Sequence, residues 1–390
     1  MQKEKLIIIF TVFVDVVGFG IVIPILPFYV SSFSVSPFVI TLLFSAFSLF
    51  AFISSPFLGA LSDRIGRRPV LLTSIASTAA GWIVFAAANS VPMLFLGRII
   101  DGAAAGNFSI AQSYLVDIAR NERERTTNLG IMGAAFGIGL MVGPLIGAFL
   151  SNVSHAFPFW FAGGLASLNA SAAYFFLPES HKERNPGRSM RINPLNPLLH
   201  ALGDKELIPL YAPWLFFALA FFTSQSVFAL YAAHAFGFDA FATGLLFTGM
   251  GVVMALNQAV LLNSVWLNFF REGSLARGMT IALFIGLVLM ATESFPLFLV
   301  GLLLMATGQS ILRVVITSQA AGRAGAAMKG EVIGILASLM AGGMVLAPVM
   351  AGALFEVNER LPYIVASIYM LAALVLIHKH VKTENTGLMQ

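Results

Sequence analysis

The sequence predicts an all-α membrane protein with twelve transmembrane helices in two six-helix bundles. Three observations support this fold class: the composition, the number of long apolar runs and an internal repeat. Hydrophobic residues make up 58% of the 390 residues and charged residues only 10%, whereas a soluble domain has about 25% charged residues. At about 20 residues per span, the chain has room for twelve spans joined by short loops.

The apolar runs follow one another along the chain, and each is close to the length that a membrane-crossing helix needs. The predicted spans are 6–30, 37–61, 70–88, 93–116, 127–151, 157–177, 207–233, 241–266, 275–292, 296–320, 329–355 and 360–379. The one long polar gap is rich in Pro, Asn and charge, so it predicts a linker. The expected domains are an N-terminal bundle at 1–177, a cytoplasmic linker at 178–206 and a C-terminal bundle at 207–390.

The two halves repeat each other. Shifts of 202 to 204 residues align Tyr29 with Tyr231, Gly97 with Gly301, and Pro144 with Pro348. Six-span repeats are typical of transporters with a central site between two bundles.

The positive charges predict the orientation. Of 22 Lys and Arg residues, 19 lie on the side that holds both termini, one (Arg360) lies on the other side, and two lie within spans. Positively charged loops stay in the cytoplasm, so both termini are expected there. The expected location is a bacterial inner membrane, crossed many times.

Residues 59–72, GALSDRIGRRPVLL, form a short charged turn between the second and third spans. Gly59 is expected to let two helices approach closely. Asp63 ends one helix, and Arg64 and Arg67 mark the cytoplasmic side. Gly66 suits a tight turn.

Few charged residues lie deep inside the predicted spans, where a charge is costly and indicates function. They are Asp15, Arg98, Asp101 and Arg313. Asp15 is the candidate proton carrier, because a carboxyl group at low dielectric can exchange a proton near neutral pH. The alternative is a structural carboxylate paired permanently with an arginine. Asp101 is a second candidate, although Arg98 lies one turn away and can neutralise it.

Polar stripes mark the candidate solute site. On a continuous helix, one face of the fourth span carries Arg98, Asp101, Ala105, Ser109 and Gln112. The repeat carries this face onto Gln309 and Arg313 in the tenth span, so both stripes are expected to line a wet cavity. Arg313 is expected to pair with an acid across that cavity or to hold an anionic solute.

Other polar or small residues within spans have two interpretations. The side chains of Gln225, Asn257 and Gln258 either form hydrogen bonds that pack the helices or contact the solute. In the fifth span, Gly130, Gly133, Gly137, Gly143 and Gly147 have the three- and four-residue spacing of tight helix contact. Pro144 kinks that helix, and this segment is expected to seal one side of the cavity.

Enzymatic function is not expected. The chain contains no cysteine, which excludes disulfides and thiolate metal sites. It shows no metal cluster or nucleophile triad, and its glycine-rich run GIGLMVG follows no strand, so it is not a nucleotide-binding loop.

The charged turn resembles the loop between the second and third spans of major facilitator superfamily transporters, G-x-L-x-D-R-x-G-R-R. The defining positions are Gly59, Leu61, Asp63, Arg64, Gly66, Arg67 and Arg68. The closest likeness is to the tetracycline efflux proteins of the drug:proton antiporter branch, and it is stronger in the first half. It includes D-x-x-G-x-G-x-x-x-P-x-L-P at 15–27, the Gly-Pro signature at Gly143, Pro144 and Gly147, and LPESHKER at 177–184.

The resemblance implies a cytoplasmic latch, in which Asp63 and Arg67 pair with Asp117 and contact the start of the eleventh helix. There are also departures from the family pattern. Tetracycline exporters have carboxylates in the third and ninth spans, where this chain has Gly81 and a residue near Ala282. Asn268 and Phe270 replace an arginine and a glycine in the second-half loop, so tetracycline is not assured as the solute.

The sequence therefore predicts a proton-coupled antiporter that exports a small drug-like solute by alternating access. One alternative is a transporter of an anionic or siderophore-like molecule that uses Arg313. Another is a non-transporting receptor or scaffold on the same fold. The expected partners are the solute and the lipid bilayer, with no nucleic acid, no metal and no cofactor beyond the proton gradient. A monomer is expected.

Overall fold

The computed structural model describes residues 3–180, 207–323 and 328–387, and every regular element in these ranges is helical. The first half contains α1 (Lys3–Ser31), α2 (Pro37–Ile65), α3 (Arg67–Ala86), α4 (Val91–Ala103), α5 (Asn107–Asp117), α6 (Glu122–Ser151) and α7 (Phe157–Phe176). The second half contains α8 (Ile208–Phe236), α9 (Ala240–Leu256), a π-helical segment (Asn257–Trp266), α10 (Leu267–Phe269), α11 (Glu272–Met290), α12 (Phe295–Arg323), α13 (Lys329–Val357) and α14 (Leu361–Gly387).

These helices account for the twelve predicted spans. In the described ranges, 10 helical stretches are long and apolar enough to cross a membrane. The remaining two spans are α7 and the pair α4–α5. The eighth span is formed by α9, the π-helical segment and α10. A π-helix is rare and is often found at functional sites.

The fourth span is not the continuous helix that the polar stripe assumed. α4 ends at Ala103 and α5 begins at Asn107. Between them, Gly106 N donates to the carbonyl oxygen of Ala104, two residues back. Glycine is a poor helix former, so the chain turns here at low cost. The prediction that Arg98, Asp101, Ala105, Ser109 and Gln112 share one face of a continuous helix is therefore wrong.

The described residues divide into two compact units. Unit 1 contains the described residues of Met1–Val35, Ala46–Pro194 and Phe238–Thr248. Unit 2 contains those of Ser36–Ser45, Leu195–Gly237 and Gly249–Gln390. Each unit is mostly one half of the chain, with one short helix end from the other half. The domain boundary at 178–206 stays a prediction, because residues 181–206 lie outside the described ranges.

The sequence repeat is visible as repeated helix packing within the two units. In unit 1, Gly81 and Gly97 let α3 and α4 touch, and a Cβ added at Gly97 would lie 2.9 Å from the Gly81 carbonyl oxygen. In unit 2, Gly286 and Gly301 do the same for α11 and α12, at 2.6 Å. Backbones approach this closely only where both residues are small.

The aligned tyrosines also have matching roles. Tyr29 Oη donates to the carbonyl oxygen of Phe85 at 3.1 Å, at the end of α3. Tyr231 Oη donates to the carbonyl oxygen of Thr292 at 3.0 Å, just past the end of α11. Each tyrosine thus donates to a carbonyl oxygen at or just past the C-terminal end of a neighbouring helix, where carbonyl groups lack intrahelical donors.

The predicted glycine contacts are only partly present. Gly143 packs on α1, where an added Cβ would lie 2.9 Å from the Cα of Gly20. Pro144 lies beside it in α6. By contrast, a Cβ at any of four other glycines would meet open space, so their predicted role in close helix contact is wrong for this structure. These four are Gly59, Gly130, Gly133 and Gly137.

Candidate functional site

The Asp15 carboxylate lies in unit 1 and is bound by an amide. Asn107 Nδ2 donates to Asp15 Oδ1 at 2.8 Å. Asn107 is 4% exposed and occupies the first position of α5, directly after the helix break. Among the described residues, no arginine lies within ion-pair distance of Asp15. These residues therefore do not show the alternative in which Asp15 is paired permanently with an arginine.

A chain of polar side chains leads from the half-buried Asp15 to the buried Asp101. The same Asn107 Nδ2 lies 3.1 Å from Thr78 Oγ1, and Thr78 also lies next to Asp101. Asp101 then pairs with Arg98, whose Nη1 lies 3.3 Å from Asp101 Oδ2. Five side chains from α1, α3, α4 and α5 thus form one continuous network.

Arg98 is enclosed by protein. It is 2% exposed, and its guanidinium carbon lies 4.4 Å from the Phe47 ring centroid and 4.9 Å from that of Trp82. Aromatic faces stabilise a desolvated cation, and Asp101 supplies its countercharge. Arg98 is therefore placed as a partner of Asp101, although the sequence suggested it as a solute contact.

The sequence interpretation missed Asn107 and Thr78. On a continuous helix, Asn107 would fall about 180° from Arg98, on the apolar side of the span. The break at Gly106 turns Asn107 toward Asp15. A signal was present in the run of small residues AAAG before a polar residue, which is a weak helix within an apolar span.

In unit 2, a second polar cluster surrounds the π-helical segment. Asn257, 4% exposed, accepts a hydrogen bond from Trp266 Nε1 at 2.9 Å on its Oδ1. Its Nδ2 lies 3.4 Å from Thr307 Oγ1 on α12. Gln258 Nε2 lies 3.4 Å from the Ser310 carbonyl oxygen, again on α12. The π-helical segment therefore brings the side-chain amides of Asn257 and Gln258 toward α12.

The other predicted solute residues are placed as follows. Gln309 is 4% exposed, and its Nε2 lies 3.4 Å from Met254 Sδ. Arg313, one turn further along α12, is exposed. Gln112 on α5 is exposed and Gln225 on α8 is half-buried. A solute site that includes residues of both units stays a prediction.

The charged turn after α2 is folded around Arg67. Its Nη1 lies 2.5 Å from Asp63 Oδ1, and its Nε lies 3.0 Å from Asp117 Oδ2 at the end of α5. Arg67 Nη1 also donates to Ser62 Oγ at 2.6 Å. Charge-assisted bonds in this partly buried setting hold the ends of α2, α3 and α5 together.

Glu179 completes this cluster from the segment after α7. Its Oε1 accepts from the Arg67 backbone N–H at 2.8 Å and its Oε2 from that of Arg68 at 3.2 Å. A carboxylate at a helix N-terminus satisfies free N–H groups and complements the helix dipole. Gly66, with φ of 114°, leaves room for it, because a Cβ there would overlap the carboxylate.

Two features now stand together: a buried acid network within a bundle of apolar helices, and a charged turn that joins three helix ends. The sequence profile of the Major Facilitator Superfamily matches residues 8–268. The chain belongs to the major facilitator superfamily.

Named relatives within the superfamily are resistance proteins. The chain is 30% identical over 312 residues to the class C tetracycline resistance protein of Escherichia coli, covering 79% of this chain and 78% of that protein. It is 26% identical over 377 residues to the quinolone resistance protein NorA of Staphylococcus aureus, covering 97% and 96%. This superfamily member is therefore a secondary transporter of the drug-efflux type and not an enzyme.

Solved structures share the fold. The nucleoside transporter NupG superposes with a TM-score of 0.80 at 12% identity, over 97% of this chain and 99% of that one. The human organic anion transporter MFSD10 gives a TM-score of 0.71 at 22% identity, over 96% and 99%. At these identities the likeness shows the fold alone.

Gly81 of this superfamily member is needed for the close packing of α3 against α4. A Cβ at Gly81 would lie 2.8 Å from Asp101 Cβ and 2.8 Å from the Gly97 carbonyl oxygen. No side chain fits there, and Asp101 of α4 occupies the adjoining space.

Proposed function

We propose that this transporter is a proton-coupled antiporter that exports a small drug-like organic solute, with Asp15 as the proton carrier. The observation that carries this proposal is the hydrogen bond from the neutral Asn107 amide to the Asp15 carboxylate. It is supported by the resistance proteins to which the chain is similar.

An amide partner suits a group that changes its protonation state. Asn107 donates from Nδ2 to an ionised carboxylate, and its Oδ1 can accept from a protonated one. In the described structure this Oδ1 is buried and has no hydrogen-bond partner. Asp15 can therefore gain or lose a proton while a hydrogen bond to Asn107 is kept. An arginine partner would strongly favour the ionised form alone.

Asp101 has a different role in this proposal. Its partner Arg98 is a permanent countercharge, enclosed by two aromatic rings. Thr78 and Asn107 connect this ion pair to Asp15, so a change of protonation at Asp15 is transmitted to α3 and α4. Arg98 then positions Asp101 and does not touch the solute.

The solute contacts are proposed on the polar side chains that the sequence assigned to the solute site. They are Gln112, Gln225, Asn257, Gln258, Gln309 and Arg313. Amides donate and accept at once, which suits the mixed polar groups of drug-like molecules. The Arg67 cluster, with Asp63, Arg64 and Asp117, serves as the cytoplasmic latch, and the packed pair Gly143–Pro144 holds α6 against α1. We also propose that both termini lie in the cytoplasm and that the transporter acts as a monomer.

The test is transport by purified protein in proteoliposomes with an imposed pH gradient, using tetracycline and a fluoroquinolone as solutes. Asp15→Asn should abolish gradient-driven transport and solute-induced proton flux. Asp239→Asn is the matched control, because Asp239 caps the start of α9 through the Ala242 N–H. Full gradient-driven transport by Asp15→Asn, at normal expression, would disprove the carrier role.

A second candidate function is export of an organic anion held by Arg313. Arg313 lies within the tenth span and has no carboxylate partner among the described residues, and an intramembrane cation without a partner attracts an anion. Replacing Arg313 with Gln should then weaken transport of carboxylated solutes while neutral and cationic solutes are unaffected. Equal transport of carboxylated solutes by both proteins would exclude this role.

A further inference from the structure

A groove of about 660 Å³ lies between α11 and α14 within unit 2. Its lining residues are Ser274, Arg277, Ile281, Leu374, Val375 and His378. None of them belongs to the proton or solute sites described above.

The lining changes from polar to apolar along the helices. Ser274 and Arg277 lie in the first two turns of α11, while Ile281 lies one turn deeper. On α14, Leu374 and Val375 belong to an apolar run, and His378 begins the polar sequence HKHVK that follows it. Ser274 and Ile281 are about 10 Å apart along the axis at 1.5 Å per residue. The groove is therefore polar at its membrane surface end and apolar toward the bilayer centre.

Arg277 is arranged to bind an anion at the surface end. Its Nε lies 3.4 Å from the Gly273 carbonyl oxygen, so the side chain folds back toward the start of α11. Long cationic side chains reach the interface in this way. Among the described residues Arg277 has no carboxylate partner. The nearby Glu272 instead accepts a hydrogen bond from Ser318.

We propose that this groove binds an anionic phospholipid, with its phosphate on Arg277 and Ser274 and an acyl chain along Ile281, Leu374 and Val375. The positive-charge distribution predicts that this end of the helices faces the cytoplasm, and the cytoplasmic leaflet carries anionic lipids. Basic pockets between transmembrane helices on that side bind such head groups. A guanidinium matches phosphate geometry with paired hydrogen bonds, which gives phosphatidylglycerol an advantage over a zwitterionic lipid.

The experiment is native mass spectrometry and thermal-shift titration of the purified full chain with phosphatidylglycerol, phosphatidylethanolamine or inorganic phosphate. Wild-type protein should retain phosphatidylglycerol and gain Tm with it. Arg277→Gln should reduce the retained lipid several-fold. The control is Arg271→Gln, because Arg271 is exposed, lies just before α11 and does not line the groove.

A second variant tests the acyl-chain part independently. Val375→Trp fills the exposed apolar wall without removing the cation, and it should also reduce lipid retention. Unchanged phosphatidylglycerol retention in both variants would overturn the proposal. So would equal stabilisation by phosphatidylethanolamine, which indicates a non-selective lipid groove, or by inorganic phosphate, which indicates a site for a soluble anion. The outcome is independent of whether Asp15 carries the proton.

Discussion

Asn107 and Asp15, 92 residues apart in the chain, are joined by a 2.8 Å hydrogen bond from an amide to a carboxylate. This bond connects α5 to α1 beside the break in the fourth span. It identifies the residue that positions the proposed proton carrier, and it leads to the first prediction.

Asn107→Ala removes the donor from Asp15. A hydrogen bond to a charged group contributes about 1.5–3 kcal/mol, so proton-driven transport should fall at least about tenfold. Solute counterflow without a pH gradient needs no net proton movement and should change by no more than about twofold. The two rates are measured in the same proteoliposomes. An equal loss of both rates would show that Asn107 is needed only for folding.

Gly81→Ala should destabilise the protein. The added Cβ would lie 2.8 Å from both Asp101 Cβ and the Gly97 carbonyl oxygen, so α3 and α4 must separate. Overpacking of this kind costs about 1–3 kcal/mol. The control is Gly137→Ala, where the added Cβ meets open space. Thermal unfolding in detergent should give a lower Tm for the first variant and an unchanged Tm for the second.

Glu179→Ala should loosen the start of α3. Its carboxylate accepts from the backbone N–H groups of Arg67 and Arg68, and loss of such a cap costs about 0.5–2 kcal/mol. Hydrogen exchange at the first turn of α3 should become faster. Glu122→Ala, at an exposed carboxylate in the first turn of α6, is the comparison. Equal protection of α3 in wild type and Glu179→Ala would contradict the cap.

Gln309→Leu tests the proposed solute site in unit 2. The side chain is 4% exposed and its amide contacts only the Met254 sulfur among the described residues, so it is free to serve a polar solute. Loss of one neutral hydrogen bond, about 0.5–1.5 kcal/mol, should raise the solute KM about two- to tenfold at an unchanged maximal rate. Gln319→Leu on the same helix should leave KM unchanged. A drop in maximal rate alone would place Gln309 outside the binding step.

Much of the fold could be predicted because it depends on local properties of the chain. The length and apolar content of each run of residues predict whether it crosses a bilayer, and the twelve spans follow from these two properties. The expected pairing of Arg67 with Asp63 and Asp117 came from the resemblance to the charged turn of the superfamily, and both ion pairs are present in the structure. The glycine contacts were harder to predict, since spacing shows which residues share a face and not whether a neighbour covers it. Gly143 packs on Gly20, while Gly137 faces open space.

The sequence by itself determined the class of protein, the twelve spans, the repeat and the few charges that membrane burial makes expensive. The Arg98–Asp101 pair is local and could be predicted, but only the tertiary structure decided the partner of Asp15. A short helix break at Gly106 turns Asn107 toward Asp15 and leaves Arg98 to Asp101, and no periodicity rule anticipates a change of face within one span. Hydrogen bonds between residues far apart in the chain depend on how helices cross, so the packed bundle determines which acid has an amide partner and which has a cation.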